Sequence, residues 1–232
     1  MKILLAPSER KTLGGGNPPV SKNSFIFSEI YEKRIESVKK YNEFLQTTDD
    51  VKNFGNDKTS VFERPTKKAV LRYSGVAFEY LKYSELDENS QKWIDENVLI
   101  FSNLFGVIGA GDLIPHYTLK QGSKPGFDIY SYHHNLFAPV LEKINENEPF
   151  IDLRAKFYEK IYKPKNAITF KFKKNNKVVS HFAKAYRGKL TAIIAKHRPQ
   201  TIEEVLKIPF EGVKVIEIQE KKGVKEIICE VD

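Results

Sequence analysis

Ser180-His181-Phe182-Ala183-Lys184-Ala185-Tyr186-Arg187-Gly188-Lys189 follows a β-like run and leads into an apolar helix. Strand passing into helix is the alternation from which α/β folds are built. Read as a helix over 182–197, the stretch places Tyr186, Leu190, Ile193, Ile194 and His197 at spacings of three and four, one buried stripe. Lys184, Arg187 and Thr191 fall on a different face. With Lys189, three basic groups stand within six residues. Cations held by a packed helix make a better anion site than the same charges on a loose tail, because less side-chain freedom is lost on binding. The alternative is a solvated face of a basic protein. Gly188 bears on the choice, since glycine inside a helix costs on the order of 1 kcal/mol against alanine. A close approach by another backbone, or by a phosphate, would compensate.

Outward from this stretch, Lys2 to Ala6 reads as a short buried strand stopped by Pro7, and residues 8–19, with Gly14-Gly15-Gly16, as a loop. The loop has neither the P-loop nor the dinucleotide-binding glycine spacing. Ser8, Glu9 and Lys11 are nevertheless site candidates: they stand at the end of a buried strand, where open α/β sheets bind ligands. An amphipathic helix is expected over 27–46 and a short one within 51–64. Lys68 to Gly75 reads as a second strand, Val76 to Lys82 as a helical turn, and 85–97 as a helix capped near Ser84 with Trp93 inward. Val98 to Val107 reads as one central strand. The glycine-rich loop after it carries Asp112 and His116, an acid–base pair if the loop doubles back, a loop-stabilising hydrogen bond otherwise.

A helix follows from Tyr130 to Ile144. His133 and His134 are adjacent, project about 100° apart and cannot share one metal as an i, i+4 pair would. No metal or cofactor is expected. Phe150 to Leu153 reads as a strand, 154–161 as a short helix, and 167–172 with 178–181 as a hairpin around Asn175-Asn176. After the long helix, Thr201 caps a short one to Lys207, with Glu204 as box partner. These two helices have the outline of a helix-hairpin-helix-like element able to offer amides to a phosphate. Val213 to Ile218 and Glu226 to Val231 form a terminal hairpin around Lys222-Gly223.

The elements total seven or eight strands and five or six helices. They imply an α/β (mixed α+β) fold: one compact unit over 1–232 with a central mixed sheet and flanking helices. The 232 residues, 41% of them hydrophobic, suffice for a core. No apolar run approaches the roughly 18 to 20 residues that span a bilayer, and the opening is too short for a signal peptide, so a cytoplasmic protein is expected. A single cysteine, Cys229, excludes a disulfide framework within the chain. A net charge of +8 favours a polyanionic partner.

Four segments, in order, resemble the YaaA family of the bacterial peroxide-stress response. They are Ala6-Pro7-Ser8-Glu9-Arg10-Lys11-Thr12; Asn103-Leu104-Phe105-Gly106-Val107 with Asp112, Pro115, His116 and Tyr117; Asp152-Leu153-Arg154-Ala155-Lys156-Phe157-Tyr158; and Lys184-Ala185-Tyr186-Arg187-Gly188. The last is similar to the family's K-x-A-R-G. The resemblance runs nearly end to end. It implies a positively charged cleft, a helix-hairpin-helix-like element, DNA binding, and protection where iron and peroxide meet.

Two functions follow as expectations. The first is a monomeric, cytoplasmic DNA-binding protein contacting phosphates through Arg10, Lys11, Lys184, Arg187 and Lys189. The second is an enzyme acting on a nucleobase, nucleotide or damaged DNA, drawing on a polar cleft of Ser8, Glu9, Arg72, Tyr73, Asp112 and His116 beside those cations. There a lysine of depressed pKa would serve as nucleophile on an anomeric carbon.

Overall fold

The computed structural model describes residues 1–175, 177–178, 180–221 and 223–231, with no side-chain account of Val178, Ser180, His181 and Lys221. Asn176 and Lys222, in the two expected turns, and Val179, in the expected second strand of the first hairpin, lie outside the described residues. In chain order the elements are β1 (Lys2–Leu5), α1 (Tyr31–Thr47), α2 (Val51–Phe54), β2 (Thr66–Lys68), α3 (Ala69–Arg72), α4 (Val76–Leu81), α5 (Glu88–Asn97), β3 (Val98–Ser102), β4 (Gly106–Gly109), β5 (Leu113–Pro115), α6 (Ile129–Asn147), β6 (Phe150–Asp152), β7 (Ala167–Lys174), β8 (Lys177–Val178), α7 (Ser180–His197), α8 (Ile202–Lys207), β9 (Val213–Lys221) and β10 (Val224–Val231).

The main sheet has the order β4-β3-β1-β6-β7-β10-β9, with β8 attached to β7. β1 runs parallel to both its neighbours, β3 and β6; β6–β7 and β7–β10 are also parallel, while β4 and β9 close the edges antiparallel. Strands covered on both faces read as unbroken apolar runs rather than alternations. Val98-Leu99-Ile100-Phe101 of β3 and Ile3-Leu4-Leu5 of β1 are such runs, all fully or almost fully buried. β2 and β5 pair separately as a two-stranded antiparallel sheet. This is the single mixed α/β unit expected. No described helix is long and apolar enough to cross a membrane.

Several local expectations are corrected. The strand expected over 68–75 is only the end of β2; the chain then coils into α3. Ala69 and Val70 donate to the Asp112 and Ala110 carbonyls at 2.7 and 2.9 Å. The turn lets the fully buried Arg72 reach the carbonyls of Thr12, Pro65 and Ile114 at 2.6 to 3.2 Å. A short apolar run does not distinguish strand from buried helix, and here tertiary hydrogen bonds decided.

The single strand expected over 98–107 is the β3–β4 hairpin. Ser102 Oγ accepts from the amides of Leu104 and Phe105 at 3.3 and 3.0 Å, a hydroxyl-closed turn. Gly106 then takes φ +70°, where an added Cβ would meet the Phe137 ring at 2.1 Å. Asp87, not Ser84, caps α5, its carboxylate accepting from Ser90 N at 3.0 Å. His181 belongs to α7 and not to a strand.

α8 is capped as expected by Thr201, which accepts from Glu204 N at 3.2 Å, although Glu204 reaches back to Gln200 N rather than to Thr201. The helix-hairpin-helix-like element is not established, because α7 packs its small-residue face on α4 and α8 is only six residues long. That packing also buries Thr191, expected on the cationic face; its hydroxyl donates to the Arg187 carbonyl at 2.8 Å. His197 is exposed.

Candidate functional site at the carboxyl ends of the parallel strands

In open parallel sheets, ligand sites form outside the carboxyl ends of the strands, where loops diverge and backbone groups leave the ladder. Three such ends adjoin here. β1 runs into Ala6 to Arg10, β3 into Asn103, and β6 into Leu153, Ala155 and Tyr158. With the start of α4, and Lys184 and Arg187 from α7, they line a pocket of about 310 Å³.

Gly188 sets the position of the two late cations. A Cβ there would stand 2.0 Å from the Ala77 carbonyl oxygen and 2.9 Å from Leu81 N, so α7 and α4 touch backbone to backbone. Of the two compensations that the sequence allowed for a helical glycine, close approach of another backbone is present. Lys184, one turn earlier, is exposed and Arg187, the residue just before the glycine, half-buried, both at the pocket. Burial lowers the Arg187 pKa, an effect that the nearby Asp152 carboxylate opposes.

Beside the pocket lies a set of buried phenols. Tyr117 OH bonds Tyr73 OH at 2.9 Å and Ser102 Oγ at 2.8 Å. Asn103 Oδ1 accepts from Tyr158 at 3.0 Å and Tyr130 at 3.3 Å, while its Nδ2 donates to the Leu119 carbonyl at 3.0 Å. Burial pushes the pKa of all four phenols upward, Tyr130 to about 12, so each is a neutral hydrogen-bonding group at neutral pH.

Lys11 enters this apolar setting. Its Nζ stands 4.2 Å from the Tyr117 ring centroid and 5.6 Å from that of Tyr73, and donates to the Glu9 carbonyl at 3.2 Å. Burial lowers its pKa from 10.5 to about 7; the Glu9 carboxylate opposes the fall and the Arg72 guanidinium adds to it. An amine in this state is half unprotonated at neutral pH and can serve as a base or nucleophile.

Of the residues expected from sequence, Ser8, Glu9, Arg10, Lys184 and Arg187 meet at the pocket although about 175 positions separate them. Arg10 pairs with Glu79 at 2.6 Å on the exposed rim. Lys11 comes from the same loop but turns its amine onto the tyrosine rings. Lys189 lines a different groove.

Arg72 and Asp112 are held in buried hydrogen bonds to backbone groups, and Tyr73 lies beneath Lys11 in the phenol set. Asp112 accepts from Gly109 N at 2.9 Å and Ile26 N at 3.0 Å, and burial raises its pKa to about 6. It is not paired with His116, whose pKa is lowered by burial and by Lys11, Arg72 and Arg64. Asn103, Gln121 and Tyr158 also line the pocket. Sequence reasoning did not select them, although Asn103 directly follows a strand, which was the available signal. Among the described residues no group of three or more His, Cys, Asp or Glu is placed to hold a metal ion.

The family model described as peroxide stress protein YaaA matches residues 1–218. An uncharacterized protein of Campylobacter jejuni is 43% identical over 244 aligned positions, covering 100% of this chain and 99% of its own length. A UPF0246 protein of Corynebacterium efficiens is 33% identical, covering 95% of this chain and 96% of its own. One from Corynebacterium glutamicum is 30% identical, with coverage of 94% and 95%.

Proposed function

This chain belongs to the peroxide stress protein YaaA family, and on that premise we propose that it binds DNA, with phosphates against Lys184 and Arg187 at the mouth of the strand-end pocket. The observation that carries this reading is the convergence of Ser8, Glu9, Arg10, Lys184 and Arg187 on one concave surface. A rigid helix docked at Gly188 holds two cations beside a loop rich in polar groups. Preorganised cations of this kind fit a phosphodiester better than scattered surface charge does. In a family named for peroxide stress, the bound DNA is the molecule protected.

Fluorescence anisotropy against a labelled duplex, run from low to moderate salt, tests the reading. With about four phosphates neutralised, log affinity falls with log salt at a slope near −3.6. Lys184→Ala/Arg187→Ala weakens all sequences alike, since phosphate contacts position and do not specify. Binding that is flat with salt, or indifferent to the double variant, counts against it.

A second reading, catalysis on a nucleobase, nucleotide or damaged DNA, is favoured by Lys11. Phosphate binding alone has no use for a half-unprotonated amine among tyrosine rings near the Glu9 carboxylate. Attack of that amine on the anomeric carbon of a lesion would form a C–N bond, expel the base with its bonding electrons, and leave an imine after ring opening. Borohydride reduction of the imine would trap protein and DNA together. Absence of a trapped product across abasic and oxidised-base duplexes argues for binding alone.

A further inference from the structure

Lys189, expected to join Lys184 and Arg187, lies on a second groove of about 550 Å³ formed by the same two segments together with Glu85, Leu86, Glu211 and Gly212. Residues 75–78 and Lys184 with Arg187 face the first pocket; residues 80–82 and Tyr186, Lys189 and Lys196 face the second. We propose that this second groove continues the first, so that the ligand is a single-stranded oligonucleotide whose successive units occupy both. The inference rests on the phosphate reading of the strand-end pocket.

Three observations carry it. Lys189 Nζ stands 5.6 Å from the Tyr80 ring centroid and 5.4 Å from that of Tyr186, and Tyr80 is 45% exposed. An ammonium beside an accessible ring is the combination that binds a phosphate and an unpaired base together. Among the described residues, neither Lys189 nor Lys196 has an ion-pair partner, whereas the groove's Glu85 is taken by Lys82 at 3.0 Å, leaving Glu211 as its one unpaired carboxylate. Finally, Lys184 and Lys196 are separated by about 18 Å of helix rise, longer than one nucleotide. In a duplex the base faces are covered by their neighbours, so Tyr80 discriminates for single strands.

The test measures anisotropy of labelled oligo-dT of two, four, eight and sixteen nucleotides, and of a sixteen-base-pair duplex, for the full chain and its variants. Affinity is expected to rise with length up to about eight nucleotides. Tyr80→Ala should lower the affinity of the eight-nucleotide and longer strands roughly five- to hundredfold, leave the dinucleotide unchanged, and leave the duplex unchanged. Tyr80→Phe, which keeps the ring, should retain binding. Lys189→Ala/Lys196→Ala should reduce the single-strand salt slope by about 1.4.

If strands bind but Tyr80→Ala affects no length, or affects the duplex equally, the inference is overturned while the pocket reading stands. If Lys184→Ala/Arg187→Ala changes nothing while the Tyr80 and Lys189 variants weaken binding, the pocket reading falls, and with it the claim of one continuous track. No binding of any strand while the duplex binds overturns the inference alone; no binding of strand or duplex overturns both. Thermal melting of each variant keeps loss of fold separate from loss of binding.

Discussion

Replacing Lys11 with methionine should make the protein more stable at neutral pH and less stable in alkali. In the unfolded chain the amine titrates near 10.5; in the fold it titrates near 7, chiefly because burial penalises its charged form. A base whose folded pKa is depressed binds fewer protons folded than unfolded between those two values, so stability rises with pH across that window and the full penalty is felt below pH 7. The shift corresponds to about 5 kcal/mol as an upper bound.

Methionine removes that penalty while keeping the length of the stem. It gives back about 1 to 2 kcal/mol through the lost hydrogen bond to the Glu9 carbonyl. The net gain near pH 6.5 is about 3 kcal/mol, or roughly 6 to 12 °C in Tm for a chain of this size. By pH 10 about 0.8 kcal/mol of the penalty remains against the roughly 1 to 2 kcal/mol lost with the hydrogen bond, so the order should reverse, with the variant lower by roughly 0.5 kcal/mol. Calorimetric melts at pH 6.5, 8 and 10 read the crossing directly. NMR of the reductively ¹³C-methylated lysines should show one resonance with a midpoint near 7. Stability curves that run parallel with pH, or a Lys11 midpoint in the ordinary lysine range, would refute the burial argument.

Gly188→Val should destabilise the protein by about 2 to 3 kcal/mol or more in urea titration, because the new Cβ collides with the Ala77 carbonyl, a backbone atom that has no room to give. It should also weaken DNA binding beyond the loss of stability. Arg34→Met strands the Phe105 and Val107 carbonyls, which the guanidinium now bonds at 2.9 and 3.0 Å while lying against the rings of Phe25 and Phe137; a cost of about 2 to 5 kcal/mol is expected in the same titration. Asp112 should titrate near pH 6 by carboxyl ¹³C NMR. Since the fold binds its proton more tightly than the unfolded chain, its contribution to stability falls as pH rises from about 4 to 6. The buried Cys229 thiol, its pKa raised to about 11 by burial, should not react with a disulfide reagent at pH 8 until the protein is unfolded.

Much of the fold was readable from local pattern. β1, α1, α6, α7 and the terminal hairpin follow from apolar spacing and turn residues, and their order alone implied a mixed α/β unit. The errors fell where one short apolar run has two solutions. Residues 69–72 coil because Asp112, Ala110 and three distant carbonyls demand it, and residues 98–109 fold back because the Ser102 hydroxyl caps a turn inside what reads as a strand. The first cause lies some forty to sixty residues away, in no local window; the second is a two- to three-residue hydroxyl turn that an unbroken apolar run conceals.

The site divides in the same way. Residue type and place in the chain were enough to mark Ser8, Glu9, Arg10, Lys184 and Arg187 as candidates, and a helical glycine called for a close approach by another backbone or by a phosphate. Only the folded chain decided which cations share a pocket, that Arg72 and Asp112 are consumed by buried hydrogen bonds, and that Lys189 turns to a separate groove. Side-chain type is a property of one position, whereas burial and the partners of a charge are set by segments that meet only when the sheet has formed.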